Sequence, residues 1–178
     1  MLIYFIADMH FGHENVIRLN KRPFSSVEEM DNTIIQNWNA IVRDTDTVYI
    51  IGDVWYRGKR NAVDYMRKLK GVKHLIRGNH DVKALKNPAF VNCFDSIQDI
   101  ADIIVGNERV ILCHYPMLEW NGYYRESLHI HGHIHNNRQG VFEYLRTESR
   151  ALNAGVDITG FKPVTLEELK VMNIAWKK

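Results

Sequence analysis

Two cysteines, Cys93 and Cys113, are too few for a disulfide framework, and both sit in apolar surroundings that suit a reduced, packed thiol. The expectation is a cytoplasmic protein. No apolar run is long enough to span a bilayer. Residues 1–7 are apolar, but they lack a basic leader region and run straight into Asp8 and His10, so they read as a first strand rather than a signal peptide. An excess of one charge is missing too: 23 Lys+Arg against 21 Asp+Glu gives +2 with histidine neutral. Bulk electrostatics therefore offers no argument for nucleic acid or an anionic membrane, and any acidic substrate must be held locally. Pro/Ser-rich linkers, internal repeats and low-complexity stretches are absent. With 178 residues and 46% hydrophobic content, residues 1–178 read as a single domain able to bury a sizeable core.

What the chain does have is five apolar, strand-like runs, each ending in a polar cluster. The clusters are Asp8-Met-His10, Gly52-Asp53, Gly78-Asn79-His80-Asp81, Cys113-His114 and His131-Gly-His133-Ile-His135. Strands are expected at 2–7, 47–51 and 72–76, then at 96–105 and 109–113 as a hairpin around Gly106-Asn107-Glu108, with further strands at 128–131 and near 142–145. A capping-box start at Ser25/Ser26 with Glu28/Glu29 opens a helix to about Val42; others are expected at 61–69 and 165–172, and 152–156 leads to the last of them. The pattern is βαβα and then mostly β. The fold class is mixed α/β (α+β): a two-sheet β-sandwich flanked by helices.

Clusters at strand ends can converge on one sheet edge, where α/β proteins place their sites. Asp, Asn and His suit hard or borderline divalent cations, and their mixture without Cys argues for open, roughly octahedral ions rather than a structural zinc. Asp53, alone after a glycine, is the natural carboxylate to bridge two ions. Asp8 and His10 lie two apart, a spacing that in extended backbone points both the same way; the same rule groups His133 with His135. Taken singly, Asp-x-His and Gly-Asp are common, and His-Gly-His-Ile-His has the composition of an adventitious metal tract. Taken together they have few purely structural uses.

In order and spacing this set resembles the calcineurin-like metallophosphoesterase superfamily, whose pattern is Asp-x-His, Gly-Asp, Gly-Asn-His-Asp/Glu, a lone His and Gly-His-x-His. A looser likeness to its small bacterial and phage phosphoesterases lies in Asp8-Met-His-Phe-Gly-His-Glu-Asn15 and in Asn153-Ala-Gly-Val-Asp157 with Gly160-Phe-Lys-Pro163. The resemblance implies that family's four-layer architecture and a hydrolase with two divalent metals of the Mn, Fe, Ni or Zn kind. Asp8, His10, Asp53 and His135 would hold one ion, and Asp53, Asn79, His114 and His133 the other. The pair would supply a bridging hydroxide near neutral pH to attack phosphorus, with His80 as general acid and Asp81 orienting its ring.

Around these residues the expectations are less sharp. His131 shares the alternation of His133 and His135 and reads as lying behind the ligands or facing solvent; His74 and His129 read as ordinary packed or surface residues. His13 and Asn15 either touch a substrate phosphate or start a helix. Two aromatic and basic stretches, 55–60 and 120–125, offer Arg57 or Arg125 to clamp phosphate and Tyr123 or Trp120 to stack on a ring; the alternative is an exposed loop or subunit contact. Three functions stay open. They are a phosphoesterase acting on a small phosphodiester or phosphomonoester, a nucleotide-like one among the options, a nuclease acting on DNA or RNA, and a non-catalytic scaffold, which would require lost ligands.

Overall fold

The structure, a computed structural model, describes residues 1–58 and 60–178. Lys59, within the first aromatic and basic stretch, lies outside the described residues. The first sheet is built from β1 (Ile3–Ile6), β2 (Thr47–Ile50), β3 (Val72–Ile76) and β4 (Ser96–Gln98), in that order and all parallel. The second contains β5 (Ile100–Val105), β6 (Glu108–Cys113), β7 (Leu128–His131) and β8 (Ala151–Asn153), antiparallel between β5 and β6 and parallel thereafter. Seven helices accompany them among the described residues: α1 (Glu14–Leu19), α2 (Val27–Ile41), α3 (Ala62–Met66), α4 (Pro88–Val91), α5 (Phe142–Leu145), α6 (Val156–Thr159) and α7 (Leu166–Lys177).

The two-residue period of β1 explains the layering. Tyr4 and Ile6 pack with Met30, Ile34 and Trp38 of α2 and with α3, while Phe5 and Ala7 join Val110, Leu112, Leu128, Ile130 and Leu152 of the second sheet. The first sheet is thus buried on both faces, with helices on one side and the second sheet on the other. On the outer face of the second sheet, Ile111 and Ala151 pack with Trp120 and Leu145 of α5. Backbone bonds from Phe5 to Val164 and from Ala7 to Ala154 tie β1 to the chain flanking α6.

Two elements differ from the sequence reading. The run 96–105 is not one strand: it pairs with β3 through Gln98, gives up Asp99, and enters the other sheet at Ile100. Periodicity is continuous across such a crossing and cannot show which sheet each half joins. Residues 142–145 are helical rather than extended, because Phe142 and Leu145, three apart, are the buried pair and the two residues between them are exposed. The start of α2 follows its signal, with the Ser26 hydroxyl accepting from the Glu29 N–H and the Glu29 carboxylate accepting from the Ser25 N–H.

Candidate metal centre

Every polar cluster singled out above falls at the C-terminal end of β1, β2, β3, β6 or β7. Bonds between the loops hold them in register: the Asp8 N–H donates to Gly52 O, the His10 N–H to Asp53 O and the Gly132 N–H to His114 O, each at 3.0 Å. The backbone there is not extended. Asp8, His10, Asp53, His133 and His135 all have positive φ, between 51° and 70°. That conformation costs roughly 1–2 kcal/mol per non-glycine residue and persists only where the surroundings impose it.

This geometry overturns the argument that grouped His133 with His135 by alternation. Their rings diverge. His133 Nδ1 lies 3.1 Å from Asn79 Oδ1, which is also 3.1 Å from His114 Nε2. His135 Nε2 instead faces His10 Nε2 at 3.2 Å. Asp53 stands between the two groups, its Oδ2 3.6 Å from His10 Nε2, 3.5 Å from His114 Nε2 and 3.9 Å from His80 Nε2. Ligand atoms of Asp8, His10 and His135 lie within 4.8 Å of one another, and so do those of Asp8, Asp53 and His114; Asp8 therefore also reaches both groups.

Two glycines make room for this. Gly52, at φ +82°, would place a Cβ 2.4 Å from His114 Nδ1, and a Cβ on Gly132 would stand 2.6 Å from Asp8 Oδ2. Asp81 serves the backbone rather than His80. Its carboxylate accepts from the N–H groups of Gly78, Asp53 and Val54, each at 2.9 Å, and among the described residues no hydrogen bond joins it to the His80 ring. The expectation that Asp81 positions that ring is corrected accordingly. The His80 ring instead packs edge-on to Tyr56 and beside His10, while the His80 backbone N–H donates to Asp53 Oδ1 at 2.9 Å.

Over residues 1–157 the chain matches the model of the calcineurin-like phosphoesterase superfamily domain. The chain belongs to this superfamily. An uncharacterised protein of Methanocaldococcus jannaschii is 35% identical over 171 residues, which span 93% of this chain and 87% of the relative. The gene 66 protein of Mycobacterium phage L5 is 27% identical over 184 residues, 88% of this chain and 87% of its own length. Among solved structures, a protein of unknown function from Aquifex aeolicus superposes with a TM-score of 0.74 at 29% identity, covering 96% of this chain and 98% of that one. Calcineurin-like phosphoesterases generally hydrolyse phosphoesters and bind divalent metals.

In this member of the superfamily the donors fit such ions. The Asp8 carboxylate is fully buried and among the described residues accepts only the His133 N–H, and burial pushes its pKa up. Burial, with His135 beside it, holds His10 well below the usual histidine range, and His10 Nδ1 has no partner among the described residues. Burial opposes charge on His114 and Asp53, yet their contact holds His114 at about 9 and Asp53 at about 2. A cation among these groups would satisfy the stranded carboxylate and the facing imidazoles together.

Several participants had no clear signal in the sequence. Arg22, fully buried, donates through Nε and Nη2 to the two oxygens of Asp157 at 2.9 and 3.0 Å, and caps the Asp8 and Met9 carbonyls. Asp157 in turn lies 3.0 Å from His135 Nδ1, and the Asn20 amide lies 2.8 Å from the same nitrogen. Only Asp157 fell within a quoted likeness. Tyr115 is the other addition, its ring 4.7 Å from that of His133; its place directly after His114 was the available hint.

The outer expectations divide. His13 does reach the cluster, between Tyr56 and His10, and burial with His80 nearby lowers its pKa to about 4. It also starts α1, without a side-chain cap bond. Arg57 is exposed, over the Tyr56 ring. Tyr123 is not brought to the cluster: its hydroxyl donates to Glu148, its ring lies under Arg150, and it packs on Trp120, which is itself buried and bonded to Ser127. Arg125 is exposed on the same 3-10 turn. His131 is buried on the outer face of β7 beside His129, rather than facing solvent, because that face is covered. No helix among the described residues is long and apolar enough to cross a membrane.

Proposed function

We propose that this protein is a dinuclear-metal phosphoesterase hydrolysing a phosphodiester or phosphomonoester of a small phosphorylated substrate. The observation that carries the reading is Asp53 Oδ2, 3.5–3.9 Å from His10, His114 and His80 at once. Asp8, His10, Asp53 and His135 would hold one ion, and Asp53, Asn79, His114 and His133 the other, with Asp53 shared. When bound, the ions would lower the pKa of water and neutralise phosphoryl oxygens. The chain's own residues do the rest. His80, half-buried and unclaimed by Asp81, gives its proton to the leaving oxygen. His114 is fixed by its Nδ1–H donating to Ile51 O at 2.8 Å, and His135 by Asp157, so each presents Nε2 inward. The Tyr56 ring packs beside His80 and the Tyr115 ring beside His133.

The test is a panel of nitrophenyl phosphate mono- and diesters, nucleotides, DNA and RNA, assayed after reconstitution with Mn²⁺, Fe²⁺, Ni²⁺ or Zn²⁺. Metal-dependent turnover of the small esters is expected. Salt-sensitive cleavage of DNA or RNA alone would favour the nuclease instead, and silence across the panel would favour the scaffold.

A further inference from the structure

Next to His80 lies a cleft of about 230 Å³ lined by Trp55, Tyr56, Arg57, Lys83 and Lys86. None of its lining residues is Asp or Glu, and among the described residues neither lysine enters a salt bridge. The cations lie against rings instead: Lys83 Nζ is 5.8 Å from the centre of Trp55, and the Arg57 guanidinium is 5.3 Å from that of Tyr56. A 3-10 turn, Ala84–Lys86, follows Lys83, and residues three apart eclipse in such a turn, which sets Lys83 and Lys86 on one side. A neighbouring cleft of about 520 Å³ shares Tyr56 and Arg57 but is walled by Glu14, Glu28 and Asp31, so it lacks the acid-free lining of the cleft that holds His80 and Asn79.

We propose that this cleft is the leaving-group subsite and that it takes a nucleoside monophosphate unit. The ring would stack on Trp55 and Tyr56, and a second phosphate, distinct from the scissile one, would meet Lys83, Lys86 and Arg57. The proposal rests on the phosphoesterase reading for the word leaving group. The volume lies below the roughly 300 Å³ at which pockets for whole ligands begin, which suits one unit of a substrate whose remainder lies over Asp53. In the hydrolysis, the oxygen of water bonds to phosphorus, the bond from phosphorus to the ester oxygen breaks, and that oxygen takes the proton from His80 while the proton released by water passes to solvent. The departing unit keeps its own phosphate.

Binding to the metal-free protein tests the subsite independently of catalysis. Adenosine 3′,5′-bisphosphate is expected to bind at least tenfold more tightly than either adenosine or inorganic phosphate by calorimetry. The exposed double variant Lys83→Gln/Lys86→Gln should lose about tenfold of that affinity while melting within a degree or two of the parent protein. Equal affinity for the three probes, or a double variant that binds as tightly, would overturn the proposal; a Trp55→Phe variant that keeps the stack guards against misreading a folding defect. Preserved binding with no ester turnover under any metal would defeat the phosphoesterase reading, and with it the leaving-group role.

Discussion

The two halves of the metal centre are built differently. The Asp8, His10 and His135 half is sunk in the protein and braced from behind: the side chains of Arg22, in the loop after α1, and Asp157 of α6 are buried and fix both the Asp8 carbonyl and the His135 ring. In the Asn79, His114 and His133 half only His114 is buried, while Asn79 and His133 are exposed and meet mainly each other. A braced donor set loses little freedom on binding an ion, whereas an open one leaves room for substrate and for exchange of the ion. On the proposed function, the deep half would be preorganised to hold its metal and the open half arranged to meet the ester.

The variants that break this comparison run from large effects to small. Asp53→Asn strikes both halves at once and is expected to abolish measurable metal binding and to lower turnover by about 10³-fold or more; elemental analysis with an ester assay checks it. His80→Asn leaves both halves intact, so metal content should match the parent while turnover falls by roughly 10²–10⁴. Asp157→Asn should weaken the deep half alone, by about 10–100-fold in affinity, and cost about 3 kcal/mol in urea unfolding because Arg22 loses its buried partner. Asn79→Ala provides the contrast, removing an exposed donor: the second ion should be lost and the first kept, with stability changed by no more than about 0.5 kcal/mol.

A separate effect, on stability alone, concerns the outer face of the second sheet. His129 in β7 donates from Nδ1 to Ile111 O and accepts the Met117 N–H, and burial lowers its pKa from 6.5 to about 4. The unfolded chain therefore binds the proton first as pH falls. Stability from this group is fully present above pH 6.5 and is lost progressively between about 6.5 and 4, up to roughly 3 kcal/mol. His129→Gln should flatten that part of the urea-unfolding profile. An unchanged slope would assign the acid sensitivity to the metal-site histidines instead.

The strand ends were legible because apolar runs break off at Asp, Asn and His in an order that chance does not supply. Three things were not. Left-handed backbone at His133 and His135 defeats the inference from alternation there, since pointing direction then depends on the loop rather than on parity, although Asp8 and His10 do come together. The Arg22–Asp157 pair joins residues 135 positions apart, and neither has a local pattern that marks it as buried. The crossing at Asp99 is invisible because both halves of 96–105 carry strand-like sequence while belonging to different sheets. Trp120 and Tyr123 show the converse error, in which aromatic residues near a ligand in sequence serve the packing behind the second sheet.

The central claim is a two-ion centre with unequal halves sharing Asp53. Anomalous scattering from crystals soaked first with less than one equivalent of Mn²⁺ and then with excess tests it most directly. The account predicts one peak among Asp8, His10, Asp53 and His135, followed by a second among Asp53, Asn79, His114 and His133. A single peak at saturation, or a first peak on the Asn79 side, would contradict it.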